Sequence, residues 1–396
     1  MRSEIETDQI QNQKKVYRDG NLQIIFAITL TAIMGVSSIT PAFPKIVQGL
    51  NISPKEIGLL ITVFTLPGVF LTLILGVLAD RIGRKTVLVP SLLLFGVAGG
   101  ACTFARDFNW LLLLRFFQGV GAASLGSLNV TIIGDLYSGK RRISAMGYNA
   151  SVLSIGTASY PVIGGALATL GWFYPFVLPL IAIPVGLIVL FFLRNPEPKT
   201  DQNLRKYLKD AFQSVKNQQV IGLFIASIVM FIILYGSYLT YYPFLIGKSF
   251  GAPPFVIGII MSSMSITTAI TSSQLGKLAK RYSEKTLLKL AYFLYALALV
   301  IVPFVPNLWI LLIPTLIFGI GHGILVPTIQ TLLAGFAPID QRGAIMSLNG
   351  MVLRIGQTLG PLIIGVAYSL WGIGGTFFSG ASLAVCMLIV IILMIK

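Results

Sequence analysis

Charged residues are scarce in this chain: only 11% of its 396 residues are Asp, Glu, Lys or Arg, whereas roughly 25% is typical of a soluble domain. The chain has one His, and its two cysteines, Cys102 and Cys386, show no spacing that indicates a disulfide or a metal site. No nucleotide-binding Gly-rich loop, metal cluster or nucleophile–base pair is visible. We therefore expect neither an enzyme nor an ATP-driven protein, and no bound metal or cofactor.

Long apolar runs are what the sequence contains instead. Hydrophobic residues make up 55% of the chain, and the mean hydropathy is +0.86. About 20 helical residues cross a bilayer core of about 30 Å, and twelve apolar segments of that order can be marked. They lie at residues 22–48, 56–79, 86–105, 110–134, 143–169, 172–193, 219–246, 254–276, 287–305, 308–336, 343–369 and 373–395. Membrane β-strands alternate polar and apolar residues, so we predict an all-α membrane protein with twelve transmembrane helices.

The second half of the chain repeats the first at an offset of 200 residues. The run GVLADRIGRKT at 76–86 returns as GKLAKRYSEKT at 276–286. Further matched pairs are Gly119 and Gly319, Arg142 and Arg342, Asn149 and Asn349, Gly156 and Gly356, and Pro161 and Pro361. Internal repeats determine architecture before local signals do. We predict two six-helix bundles at 21–194 and 218–396, preceded by a tail at 1–20 and joined by a polar linker at 195–217.

The distribution of positive charge predicts the orientation in the membrane. Of the 29 Lys and Arg residues, 23 lie in the chain ends, the linker and the alternate loops on one side. Four lie on the opposite side: Lys45, Lys55, Arg106 and Lys248. Because cytoplasmic loops are enriched in Lys and Arg, we expect a multi-pass protein of the cell membrane with both termini cytoplasmic. Topology thus explains the net charge of +16, and we expect a lipid bilayer but no nucleic acid as partner.

Two motifs connect the chain to a known family. The loop after the second segment has the pattern G-x-L-a-D-r-x-G-r-k, formed by Gly76, Leu78, Asp80, Arg81, Gly83, Arg84 and Lys85. The fourth segment has a basic residue followed by Q-G-x-G, formed by Arg115, Gln118, Gly119 and Gly121. Through these motifs the chain resembles the major facilitator superfamily over nearly its whole length. The resemblance implies that family's two-bundle fold and transport by alternating access.

A third motif lies in the fifth segment and resembles the one carried by export proteins of that family, such as drug:proton antiporters. Its residues are Gly147, Gly156, Pro161, Gly164 and Gly165. The chain departs once from the pattern, because Tyr160 stands where a Gly is usual before the Pro. The resemblance favours efflux over uptake. Small residues also allow helices to approach closely in a membrane, and Pro161 can bend the helix, so packing alone is the other interpretation of each Gly.

The resemblance implies a latch in the loop after the second segment. In this family the motif holds the two bundles together in the outward-facing state, a role that the resemblance gives to Asp80, Arg81 and Arg84. Asp80 can cap a helix N-terminus and pair with Arg84 or with basic residues of the loop after the fourth segment, and Gly83 permits a tight turn. Neighbouring contacts are expected from Asp135, Arg142 and their copies Asp340 and Arg342. The alternative is that these basic residues only set the topology.

Ionisable residues inside a membrane are costly, so they are candidates for function. Three are present: Arg115, His322 and Arg354. Arg115 lies near the start of its segment, where a structural or snorkelling role is as good an interpretation as a functional one. Arg354 follows Arg342 by 12 residues, or about 18 Å of helix, which places it in the middle of the membrane. A clamp on helix carbonyls is its alternative role. His322 also lies near the midplane, where ordinary packing is its alternative role.

None of the 13 acidic residues lies deep inside an apolar segment. If transport is coupled to protons, the carrier must be Asp80, Asp135, His322 with its near-neutral reference pKa, or the substrate itself. A cavity with Arg354 and His322 but no acid favours an anionic, zwitterionic or neutral amphipathic substrate.

Aromatic and amide side chains offer further contacts for a bulky organic molecule. The candidates are Asn129, Tyr235, Tyr238 and Gln330. Tyr241 and Tyr242 fit either such a cavity or a belt at the membrane interface.

The sequence therefore predicts a monomeric secondary transporter that works by alternating access. Proton-coupled efflux of small organic or amphipathic molecules is the function we expect. The alternatives are a facilitator, symporter or flippase for an organic anion or a lipid headgroup. A membrane sensor that does not transport is a further alternative, but such a protein would not need the latch residues Asp80 and Arg84.

Overall fold

The computed structural model describes residues 16–195, 217–336 and 342–395, and these residues form helices without any strand. Several predictions lie outside this part: most of the tail at 1–20, the linker at 196–216, Asp340 and the side chain of Arg342.

The helices follow the apolar segments closely. We number them α1 (Gly20–Leu50), α2 (Glu56–Ile82), α3 (Arg84–Phe104), α4 (Phe108–Leu136), α5 (Gly139–Leu170), α6 (Tyr174–Phe192), α7 (Gln218–Ser249), α8 (Pro254–Leu278), α9 (Glu284–Phe304), α10 (Leu308–Phe336) and α11 (Arg342–Met394). Polar residues fix several starts: the side chains of Asp19, Asp107 and Asn307 accept hydrogen bonds from backbone N–H groups of the first turn.

By length and composition, eleven described helices can cross a membrane. The last of them differs from the prediction, because α11 runs through 53 residues without the expected gap near residue 371. It is nevertheless broken at Gly372, whose φ of 67° and ψ of −162° are not helical. A single crossing needs only about 20 residues, so α11 has the length of two crossings joined by a Gly kink.

Buried apolar side chains form two cores. The first consists of residues from 16–193 joined by Ile232, Tyr241, Phe244 and Ile364, and the second consists of residues from 220–395. Large apolar side chains also cover the outside, for example Phe70, Phe191 and Leu393, each more than 60% exposed. This outer apolar surface is what a bilayer solvates.

Helix α7 contains π-helical turns that the sequence did not reveal. They occupy Ile233–Tyr241 and Leu245–Ser249, on either side of the short α-helical turn Tyr242–Phe244. π-Helical turns are rare and are frequently found at functional sites. The first of these segments contains Tyr235 and Tyr238, two of the predicted substrate contacts.

Candidate functional site

The N-terminal half (residues 16–195) and the C-terminal half (217–395) meet along two helix pairs, α2 with α11 and α5 with α8. Thr62 Oγ1 donates to the Thr358 carbonyl at 3.0 Å, and the Thr65 and Thr358 hydroxyls are 2.9 Å apart. Ser265 Oγ donates to the Thr157 carbonyl at 3.1 Å. Within the described part of the chain these are the hydrogen bonds between the halves, and all lie away from the loop that carries Asp80.

The glycines of the α5 motif explain how closely α5 packs. A Cβ at Gly164 would collide with the Ser38 carbonyl of α1, and one at Gly165 would collide with the Pro254 carbonyl of α8. A Cβ at Gly156 would lie 2.9 Å from Leu30 of α1. The series therefore serves two contacts, one inside the N-terminal half and one between the halves.

Contact across α5 and α8 is reciprocal at the end near Gly165. A Cβ at Gly258 of α8 would collide with the Pro161 carbonyl of α5. By contrast, no described atom lies within 4 Å of a Cβ built at Gly147 of α5, Gly76 of α2 or Gly276 of α8. The two halves are thus joined at the end near Gly165 and have open space near Gly147.

At that open end, the predicted latch residues pair within the N-terminal half. Arg84 forms an ion pair with Asp80, and its Nε lies 3.1 Å from Asp135 Oδ2. Gly83 joins α2 to α3 with a φ of 105°, a backbone conformation that favours Gly. Arg81 is exposed at the end of α2. No ion pair joins the two halves in the described ranges.

Arg142 contacts backbone carbonyls beside this cluster. Its guanidinium donates to the backbone carbonyls of Tyr137 at 2.8 Å and Gly134 at 2.7 Å, and so fastens the connection between α4 and α5. Asp135 thus belongs to the ion-pair cluster, whereas Arg142 holds the neighbouring turn.

Arg115 is fully buried, so the snorkelling interpretation is wrong. Its Nη1 donates to the Gly35 carbonyl of α1 at 2.8 Å and to Gln118 Oε1 at 2.7 Å, and its Nε donates to the Leu60 carbonyl of α2 at 3.2 Å. The guanidinium also lies 4.1 Å from the centre of the Phe64 ring. Arg115 therefore ties α4 to α1 and α2.

Arg354 lies where α11 meets α2, and the N-terminal half approaches it closely. Its Nη1 donates to Gln357 Oε1 at 3.0 Å. A Cβ at Gly68 would be 3.1 Å from both Cδ and Nε of Arg354, so the side chain passes over the backbone of α2. Tyr235 of α7 is close enough to interact with Arg354 electrostatically. Arg354 and Tyr235 are both partly exposed.

His322 lies on α10 and is joined to α9. Its Nδ1 is 2.5 Å from the Tyr295 hydroxyl. Tyr295 is fully buried and stacks on Phe318 with 4.1 Å between the ring centres. Tyr295 was not predicted, because it lies within an ordinary apolar segment and has no motif to mark it.

The tyrosines of α7 are more deeply buried than a membrane-interface belt would be. Tyr241 and Tyr242 are at most 1% exposed, so the belt interpretation is wrong for both. The Tyr242 hydroxyl is 2.6 Å from Thr315 Oγ1 of α10, and the Tyr238 hydroxyl donates to the Met261 carbonyl of α8 at 3.0 Å. Tyr238 and Tyr242 therefore anchor α7 inside the C-terminal half, and Tyr235 is the partly exposed member of the series.

The two remaining predicted residues lie in different surroundings. Asn129 is buried and donates to the Thr29 hydroxyl, which in turn donates to Asn149 Oδ1 at 2.5 Å. This chain of side chains links α4, α1 and α5, and Asn149 could have been singled out by its repeat, Asn349. Gln330 is exposed on α10 and makes no hydrogen bond to another described residue.

Comparison with known proteins supports the assignment of the fold. The model of the Major Facilitator Superfamily matches residues 25–251 and 236–396. The chain belongs to this superfamily. It is therefore a membrane transport protein and not an enzyme.

Relatives of this superfamily member include drug-resistance proteins. Multidrug resistance protein 1 of Bacillus subtilis is 25% identical over 353 residues, which is 88% of this chain and 90% of that protein. The class B tetracycline resistance protein of Escherichia coli is 24% identical over 383 residues, 91% of this chain and 94% of that protein. The crystal structure of the nucleoside transporter NupG has a TM-score of 0.78 at 14% identity, covering 95% of this chain and 98% of that one.

Proposed function

We propose that the protein is a secondary transporter that exports small organic or amphipathic molecules by alternating access, in exchange for protons. The proposal rests on the contact between the halves, which is close at one end of the molecule and open at the other. Three hydrogen bonds and the reciprocal pair Gly165 and Gly258 join them at one end, while Gly147 and Gly276 face open space at the other. A rigid-body rocking of two halves about a central site would exchange these two ends.

The proposed topology has twelve spans in two six-helix bundles, 21–194 and 218–396, in a monomer. The Gly372 kink supports two spans in α11, because its 53 residues exceed one crossing. The excess of Lys and Arg in the loops near Asp80 supports cytoplasmic termini. On this topology the described conformation is open to the cytoplasm.

The proposed latch works on the open side. In this conformation Asp80 and Asp135 both engage Arg84 within one half. Closure of the cytoplasmic side would bring this cluster against the C-terminal half, where the charges can find new partners. We propose that Asp80, Arg81 and Arg84 favour the outward-facing state in this way.

Efflux and proton coupling are proposed on two grounds. Two relatives along most of the chain are named for multidrug and tetracycline resistance, and α5 carries the motif of the exporters. His322 is the proposed proton carrier, because it is an ionisable side chain at mid-helix in α10 that is already hydrogen-bonded to Tyr295.

The test is transport by the purified protein in proteoliposomes under an imposed pH gradient, with cationic, neutral and anionic compounds. Substrate movement that drives a counterflow of protons is the expected result. Gly258→Trp should abolish it, because the side chain would block the joined end, whereas Gly20→Trp, at the start of α1, has room and is the control. Transport that ignores the gradient would remove the proton-exchange proposal, and equal transport by the two variants would remove the rocking proposal.

A facilitator for organic anions is the second candidate, and Arg354 favours it. A facilitator would equilibrate an anion in either direction without a pH gradient. Accumulation against a substrate gradient distinguishes the exporter from the facilitator.

A further inference from the structure

We propose that Arg354, Gln357 and Tyr235 form a binding site for the anionic group of the transported molecule, and that the cargo class is an organic anion with a flat apolar body. The inference rests on the proposed function, because it names the substrate of the same central site. The site is inferred from several hydrogen-bond donors at the contact between α11, α7 and α2 that have no acceptor among the described residues.

The Arg354 guanidinium is largely unused by the protein. A guanidinium has five N–H donors in a planar fork that fits a carboxylate or phosphate. Within the described residues, the Arg354 side chain makes one hydrogen bond, to Gln357 Oε1 at 3.0 Å. Among the residues that the structure describes, no carboxylate lies within ion-pair distance of Arg354. The charge is therefore neither neutralised nor saturated by this part of the protein.

Arg115, also in a membrane segment of this chain, is a structural arginine with which Arg354 can be compared. It has three acceptors, the face of Phe64 and no exposed surface. Arg354 has one acceptor and is partly exposed. Nη2 of Arg115 has no hydrogen-bond partner among the described residues but is sealed from solvent, whereas most donors of Arg354 are unused on a side chain that is partly exposed.

Gln357 makes the site selective for negative charge. Its Oε1 accepts from Arg354, so the amide group that remains is a donor. Tyr235, which interacts electrostatically with the guanidinium, has a hydroxyl that is a third group able to donate. A cation placed here would meet a like charge with no carboxylate beside it, whereas an anion would accept charge-assisted hydrogen bonds.

The adjacent aromatic pair indicates what the rest of the cargo looks like. Tyr235 stacks with Phe231, with 5.7 Å between the ring centres and 27° between the planes. Both residues precede or lie within the π-helical turns of α7. Aromatic side chains beside a few polar groups suit a flat organic body with one charged end.

Gly68 positions the arginine. Because a Cβ at Gly68 would lie 3.1 Å from Cδ and Nε of Arg354, a side chain there would displace the guanidinium. Gly20, at the start of α1, has open space at its Cβ position and offers a control outside the loop motif.

The experiment compares two fluorescent dyes that share a xanthene ring system, anionic carboxyfluorescein and a cationic rhodamine ester. Binding is measured by fluorescence anisotropy with the purified full-length protein, and transport is measured in proteoliposomes. We expect carboxyfluorescein to bind and to be transported, and Arg354→Gln to weaken its binding by at least about tenfold. Arg354→Lys should retain part of the affinity, Gly68→Ala should reduce it, and Gly20→Ala should leave it unchanged. Thermal unfolding of each variant establishes that it is folded.

Failure of this inference can be told apart from failure of the proposed function. Transport of the cationic ester with no binding of carboxyfluorescein would overturn the anion site and leave the exporter in place. Carboxyfluorescein binding that is equal in Arg354→Gln and the wild type would also overturn it. Arg354-dependent binding without transport would support the anion site and count against the exporter.

Discussion

The two halves of the molecule use equivalent sequence positions for different purposes. In the N-terminal half, Arg115 and Gln118 form a buried polar clamp with α1 and α2. The residues 200 positions later are Thr315 and Phe318. Thr315 bonds to the Tyr242 hydroxyl at 2.6 Å, and Phe318 stacks between two tyrosines.

Charged and polar contacts therefore hold the N-terminal half together, whereas contacts between aromatic rings hold the C-terminal half together. The N-terminal half also contains the ion-pair cluster around Arg84. The C-terminal half instead contains the π-helical turns of α7 and the partly exposed side chains His322 and Arg354, where the first copy has Ala122 and Ser154. On the proposed function, the first half supplies the fixed framework and the latch, and the second half supplies the chemistry of the substrate site.

The largest expected effect comes from removing the clamp. Arg115→Ala should lower the free energy of unfolding by about 3–5 kcal/mol, because it leaves a buried cavity and removes donors from two carbonyls. Thr315→Ala, at the equivalent position, removes one hydroxyl pair and should cost about 1 kcal/mol. Thermal and denaturant unfolding in detergent measure both. Similar losses for the two variants would mean that the halves are not held differently.

The next effect compares Gly165 with Gly365. Gly165→Ala should destabilise the protein by about 1–3 kcal/mol and slow transport, because the new methyl group meets the Pro254 carbonyl of the backbone. At Gly365 the nearest atom is the Tyr241 hydroxyl at 3.1 Å, the far end of a side chain, so Gly365→Ala should have a smaller effect. Unfolding and transport rates are measured together. A larger loss for Gly365→Ala would place the critical contact in α11 rather than α5.

The sequence predicted the framework better than the substrate site. The apolar segments, the Gly83 turn and the Asp80–Arg84 pair were predictable because each depends on local composition or on neighbours in sequence. The remaining contacts join residues that are far apart in the chain. Gln357 and Tyr295 have no motif, and their roles arise only when α11 and α9 are packed against their partners.

The depth of a residue in its segment was a poor guide to exposure. Arg115 lies near a helix start and is nevertheless fully buried, because α1 and α2 cover it. The π-helical turns of α7 were equally invisible, since the apolar pattern of ILYGSYLTY does not distinguish them from an α-helix.

A smaller effect on stability is expected at the latch, where transport is the sensitive measurement. Asp80→Asn should change the free energy of unfolding by less than about 1 kcal/mol, because the pair is partly exposed and Arg84 retains Asp135. If the pair helps to set the balance of states, the transport rate should fall by up to about fivefold. Lys280→Asn, 200 residues later, should leave transport unchanged. An equal loss of transport at both positions would contradict the assignment of the latch to the N-terminal half.

The smallest structural change tests the chemistry assigned to the C-terminal half. His322→Gln keeps a side chain that can accept from the Tyr295 hydroxyl, now 2.5 Å from Nδ1, and should alter stability by less than about 0.5 kcal/mol. It removes the titratable group, so the pH dependence of transport between about pH 6 and 8 should flatten. Tyr295→Phe is the converse variant, since it removes the hydrogen bond and keeps the imidazole, and its profile should retain a titration step. If His322→Gln leaves the profile as it is in the wild type, His322 packs the helix interface and the proton is carried by Asp80, Asp135 or the substrate.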